Sequence, residues 1–127
     1  MIQTKNFNPI TDPKLLCTCG HPDCDKRSVS QDTLNRTQSA RYKVKRSLTV
    51  RSGGRCPNHP DELHRDKPAD HQKRQGVDIG CNGGLERGEL VQVGIECRFN
   101  AIGVGKSFVH WGFREELPVG QIMMWTY

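Results

Sequence analysis

Between Arg55 and Gly80 the chain reads RCPNHPDELHRDKPADHQKRQGVDIG, with three histidines, four aspartates and almost no large apolar side chain. Imidazoles and carboxylates are the groups that ligate metal ions or pass protons near neutral pH. His71 and Asp78 stand seven residues apart. If the chain turns after His71 and re-enters a sheet at Asp78, both side chains converge on one ion. His110, in SFVHWGF, can supply a third ligand from a neighbouring strand. Two imidazoles and one carboxylate leave the fourth tetrahedral position for water, the arrangement of a catalytic rather than a structural zinc site. Water bound to such an ion ionises near neutral pH.

A second group of potential ligands lies nearer the N-terminus. Cys17, Cys19 and Cys24 sit in CTCGHPDC, while Cys56, Cys81 and Cys97 are dispersed. Three readings stay open. The cluster forms a closed structural metal site completed by His21 or a distant cysteine. Alternatively, the cysteines pair as disulfides in oxidising surroundings, or they remain free thiols.

These residues must be positioned by a small scaffold. The chain has 127 residues, 34% hydrophobic and 6% aromatic, which suits one domain, residues 1–127, with a thin core. Its cysteine-rich N-terminal segment, 1–29, is irregular. The net charge of +5 favours an anionic partner: nucleic acid, membrane surface or cell wall. Much of that excess is RYKVKR, Arg41 to Arg46, which reads as a solvated helix end. No window approaches the roughly 18 apolar residues of a membrane span, so no membrane insertion is expected. MIQTKNFNPITDP lacks the basic start and apolar centre of a signal peptide. The expectation is a protein made in a cytoplasm that reaches any outside target by another route.

SQDTLNRTQSARYKVKR reads as a helix with Ser30 as its N-cap. SLTVRSGG is a short strand with Leu48 and Val50 inward, closed by paired glycines. One helical turn is expected near Asp61–His64, and GVDIG is a strand with Asp78 opposite in direction to Val77 and Ile79. Leu90, Val93 and Cys97 repeat at helical spacing, although Gly88 and Gly94 weaken that helix. AIGVGKSFVHWGF suits two strands or a hairpin, and MMWTY ends in large apolar residues expected to pack down. The fold class is α+β, with a central antiparallel sheet flanked by helices.

The surroundings of the three ligands carry a further signal. SGGRCPNH, a histidine sixteen residues after its arginine, an aspartate seven later, then FVH and a terminal W-x-Y, resembles the M15 zinc peptidases. The likeness is to the small phage and bacterial branch related to D-Ala-D-Ala carboxypeptidases, and it covers Leu34 to Tyr127. It implies zinc on His71, Asp78 and His110, with Arg55 lining the site, where its fork of donors suits a substrate carboxylate. The implied substrates are peptidoglycan peptides.

Several positions depart from that pattern. Ala69 replaces a serine, Arg74 a glycine and Gly76 an alanine. Gly112 stands where the aspartate of an H-x-D motif belongs, and Ser107 occupies the alternative acidic position. The general base is therefore unidentified, with Glu115, Glu116, Asp70 and His59 as the groups that could serve. His59 otherwise reads as a hydrogen-bonded loop residue, His64 as surface, and Trp111 as wall or core.

The leading expectation is a zinc-dependent peptidase of cell-wall peptides, an endolysin or a carboxypeptidase-like enzyme, released by a holin-like partner or carried in a virion. The alternative on the same fold is a silent metal-binding protein that binds cell wall or builds a virion. A nucleic-acid-binding zinc module built on CTCGHPDC and RYKVKR ranks below both, because aromatics are scarce near those segments.

Overall fold

The computed structural model describes residues 1–127. After a 3-10 turn at Pro13–Leu15, the order is α1 (Gln31–Val44), β1 (Val50–Ser52), β2 (Gly76–Gly80), α2 (Gly83–Glu96), β3 (Ala101–Val104), β4 (Phe108–Gly112) and β5 (Met123–Thr126). Helix α1 begins where a hydroxyl can cap it: the Ser30 side chain accepts the Thr33 N–H. It ends at Lys45, whose left-handed backbone (φ 57°) turns the chain out. Its basic end is a solvated surface, with Lys43 of the last turn paired to Glu96 and Arg46, just past the cap, to Glu89. Helix α2 forms through both glycines. Gly94 is where the indole of Trp111 lies against the helix, because a Cβ there would stand 2.4 Å from Trp111 Nε1.

The five strands lie in the order β1-β2-β4-β3-β5. The expected α+β class holds, with one amendment to the sheet. β1, β2, β4 and β3 are antiparallel neighbours, but β5 joins the β3 edge in parallel. It does so because the chain crosses back from the end of β4 through residues 113–122 instead of turning in a hairpin.

Strand alternation gives the sheet two chemically different faces. Val77, Ile79, Ile102, Val109 and Trp111 turn towards the helices and are fully buried. Trp111 stacks on Phe99 with ring centroids 5.4 Å apart and donates to the Leu90 carbonyl at 2.9 Å, so it is core. Phe7, Leu15 and Val29 join the same core, and Gln38 of α1 holds Thr4 and Asn6 by hydrogen bonds at 2.8 Å. The N-terminal segment is thus part of the domain's interior. The C-terminal residues pack less than expected: β5 pairs with β3, yet Met123, Met124 and Tyr127 stay exposed.

The other face is polar. Ser52, Asp78, His110, Gly103 and Trp125 are register partners in one row across all five strands. A register shift in β1 lets Val50 face the core while Ser52 joins this row.

Candidate metal centres

Asp78 and His110 face each other across the β2–β4 pair, so their side chains rise together from the sheet. His71 arrives from the turn before β2, which closes through the bonds Lys73 N–H to Ala69 O and Gln75 N–H to Asp70 O. The three expected ligands therefore meet. Asp78 Oδ1 lies 2.9 Å from His110 Nδ1 and 3.3 Å from His71 Nε2, and the two imidazoles stand edge to face. All three side chains are buried.

Each imidazole is anchored by its other nitrogen. His71 Nδ1 is 2.7 Å from the Gly53 carbonyl, which can only accept, so that nitrogen carries the proton. A neutral His71 would then turn the lone pair of Nε2 towards an ion placed between Asp78 and His110. His110 Nε2 lies 2.8 Å from the Asp70 carboxylate, leaving Nδ1 to face the same point. Outer partners of this kind fix the tautomer of metal-ligating histidines. Two imidazole nitrogens and a carboxylate oxygen, all within 4.8 Å of one another, fit a divalent ion.

The electrostatics are tightly linked. Burial would raise the pKa of Asp78, but hydrogen bonds from His110 and His71 hold it below the usual carboxylate range. Burial opposes charge on Asp70 as well, and His110 and Arg114 outweigh it. For His110 the order of causes is the same: burial disfavours the imidazolium, while Asp70 and Asp78 raise the pKa overall.

The cluster forms the floor of a cavity of about 620 Å³ whose wall includes Arg55, Asp61, His64, Arg65, Arg114, Trp125 and Tyr127. Arg55 is at the site as expected, but its fork is already engaged. Nε donates to Ser52 Oγ, one terminal nitrogen lies 3.2 Å from Glu62, and the other 3.5 Å from Asp78. Glu62, buried and also held by Gln72 and Arg65, completes this ion-pair network and was not singled out in the sequence. Its place at the end of HPDE gives no periodic signal. Among the residues considered as a base, His59 is a hydrogen-bonded loop residue, its Nδ1 accepting the Asp61 N–H at 3.0 Å. Glu115 and Glu116 are exposed and lie outside the cavity. His64 is exposed as expected, but on the cavity wall.

The cysteines form a second centre. Cys17, Cys19 and Cys24 are joined by Cys56, all four sulfurs lying within 4.8 Å of one another. Zn–S bonds of about 2.3 Å put tetrahedral sulfurs roughly 3.8 Å apart, and Cys19 and Cys56 lie at 3.5 Å. His21 is not the fourth member: it is exposed and accepts the Asp23 N–H. Cys81 and Cys97 are buried separately in the core. Burial pushes the Cys56 thiol up to about 12, whereas the Lys26 N–H lowers Cys24 to about 7. Either cluster can hold a metal ion by its donor set.

The fold and these clusters define a small α+β domain with two candidate metal centres, joined by the short segment Gly53–Cys56. No family model matches the chain, and no curated protein matches it. No helix is long and apolar enough to cross a membrane.

Proposed function

We propose that this domain is a zinc-dependent peptidase of M15 type that hydrolyses peptides of bacterial peptidoglycan. The observation that carries this reading is the convergence of His71, Asp78 and His110, outer nitrogens anchored, on the floor of an open cavity. His71 Nε2, a carboxylate oxygen of Asp78 and His110 Nδ1 would hold the ion. When bound there, zinc supplies Lewis acidity and lowers the pKa of a coordinated water. Arg55 holds the Asp78 carboxylate in place, and the guanidiniums of Arg65 and Arg114 on the cavity wall favour an anionic peptide. Asp70 and Asp78 are both engaged at the histidines, so the general base would fall to Asp61, whose carboxylate lies 3.8 Å from an Arg55 terminal nitrogen, or to His64, both on the cavity wall. Trp125 and Tyr127 offer apolar surface beside the cluster.

The four-cysteine cluster would hold a second, structural zinc. Its closed ligand set leaves no open position for chemistry.

A silent, wall-binding protein on the same fold is the second reading. It is favoured by Gly112 and Ser107, which place no carboxylate at the positions where the M15 pattern carries one. One experiment separates the two. Purified peptidoglycan is incubated with zinc-loaded protein, with His71→Ala and a chelated sample as controls. New amino groups abolished in both controls support the peptidase. Sedimentation with the wall and no amine release supports the binding protein.

A further inference from the structure

Asp70 is 3% exposed, carries a charge-forming group, and has no obvious reason to be buried beside a histidine. Its carboxylate lies in a slot made by two glycines. Gly76 and Gly112 are register partners across β2 and β4. A Cβ on Gly112 would stand 2.4 Å from Asp70 Oδ2 and 2.9 Å from His110 Nε2. A Cβ on Gly76 would stand 2.9 Å from Asp70 Cβ and 2.8 Å from His110 Cε1. A side chain at either strand position would collide with Asp70 and with the His110 ring, and one of them would have to move. The missing pair of Cβ atoms is therefore matched to one carboxylate delivered from a different part of the chain.

Within that slot Asp70 makes three contacts. Oδ2 meets His110 Nε2 at 2.8 Å, while Arg114 Nε and a terminal nitrogen reach Oδ1 at 2.9 Å and Oδ2 at 3.3 Å. Arg114 compensates the buried charge and is itself seated over Trp125 at 5.1 Å. Nothing else reaches the outer nitrogen of His110.

We propose that Asp70 is the positioning residue of the histidine–aspartate metal site, holding His110 with its N–H on Nε2 and its Nδ1 lone pair towards His71 and Asp78. This rests on the metal reading of that cluster. It also assigns the carboxylate absent from strand position 112 to the turn before β2. The geometry gives Asp70 no direct approach to the metal ligands' shared point, since His110 intervenes, so its role runs through the imidazole.

The test is zinc affinity by chelator competition together with the ¹⁵N shifts of His110 in the chelated protein at alkaline pH, where no metal fixes the tautomer. Asp70→Ala is expected to weaken zinc at this site by about 10-fold to 100-fold, the usual effect of removing an outer partner. It also lets His110 populate the other tautomer. Asp70→Asn keeps the shape of the side chain and serves if the alanine variant fails to fold. It should still weaken zinc several-fold, since the charge is gone. Gly112→Asp alone should weaken zinc too, because its side chain collides with Asp70. Placed on Asp70→Ala, the same Gly112→Asp change should recover part of the lost affinity.

Three results overturn the proposal. One is affinity within about twofold of the parent in Asp70→Asn, twofold being far below the effect expected of an outer partner. Another is an unchanged His110 tautomer in Asp70→Ala. The third is a double variant no better than Asp70→Ala. If His71→Ala leaves the parent's zinc count unchanged, the metal reading itself fails; if it removes one zinc while the Asp70 variants bind normally, only the Asp70 assignment fails.

Discussion

Gly54→Ala should damage the fold and both metal centres at once. A Cβ on Gly54 would stand 2.2 Å from the Arg27 carbonyl oxygen and 2.9 Å from two further backbone carbons. Backbone cannot rotate aside as a side chain can, so the loop would have to withdraw by roughly 1 Å to reach an ordinary contact. That oxygen also accepts the Cys17 N–H at 2.9 Å, and Gly54 N–H itself donates to Leu15 O at 3.1 Å. Arg55 N–H donates to His71 O at 3.1 Å. Overpacking costs about 1–3 kcal/mol, and a buried hydrogen bond left unmade costs about 1–3 kcal/mol more. Reduced freedom of the unfolded chain returns only about 0.4–1 kcal/mol. The expected net loss is about 1–6 kcal/mol, a large part of the marginal stability of a domain this size. Urea titration measures it as a lower midpoint at unchanged slope, with Gly88→Ala as the control. Gly88 is an exposed helix position whose added Cβ meets nothing within 4 Å, so that variant should gain about 1 kcal/mol. Zinc counting on the same sample should show both centres weakened, because Gly53 O orients His71 and Cys56 belongs to the thiol cluster. A Gly54→Ala protein as stable as the parent would refute the close packing of this loop on the N-terminal segment.

Two further outcomes follow from the centres. Cys56→Ser should remove one zinc of two by native mass spectrometry and lower the melting temperature, while His71→Ala removes the other and spares the thiol site; a single shared ion lost in both variants would contradict two centres. The pH dependence should reverse with metal. Asp70 and Asp78 have lowered pKa values, so their stabilisation is present above the ordinary carboxylate range near ~4 and is lost as pH falls below it. His110 has a raised pKa, so its stabilisation is full below the ordinary imidazole range near ~6.5 and is lost as pH rises through the folded value. The chelated protein should therefore be most stable between about pH 4 and 6.5, whereas the extra melting temperature conferred by zinc should grow as pH rises from about 6 to 8. Zinc stabilisation independent of pH would count against imidazole ligands.

Much of the scaffold was legible because it rests on local rules. Ser30 caps α1 as a hydroxyl before a helical run should. The alternation in GVDIG placed Asp78 on the face away from Val77 and Ile79, and that face is the site. Leu90, Val93 and Cys97 marked the buried side of α2, although Gly94 argued against a helix. Its reason lies in Trp111, seventeen residues on, and only packing shows it. The parallel joining of β5 was not legible either. MMWTY fits a strand in either direction, and the direction depends on how residues 113–122 cross the sheet end.

The site divides along the same line. His71, Asp78 and His110 could be brought together from a turn, a strand period and a neighbouring strand. The fourth sulfur could not, because Cys56 reaches the N-terminal cluster through the packing of Gly53 and Gly54 against Leu15 and Arg27. Asp70 was harder still. In sequence it is one of four aspartates between Arg55 and Gly80, and Gly112 is a position where the M15 resemblance leads one to expect an acid. In the fold the two meet: the carboxylate of Asp70, 42 residues earlier in the chain, occupies the space that a Cβ at Gly112 would take. An aspartate at 112 on the native background would therefore put two carboxylates in one slot. On the proposed peptidase reading the proton would fall to Asp61 or His64, which line the cavity without being bound to the histidine pair.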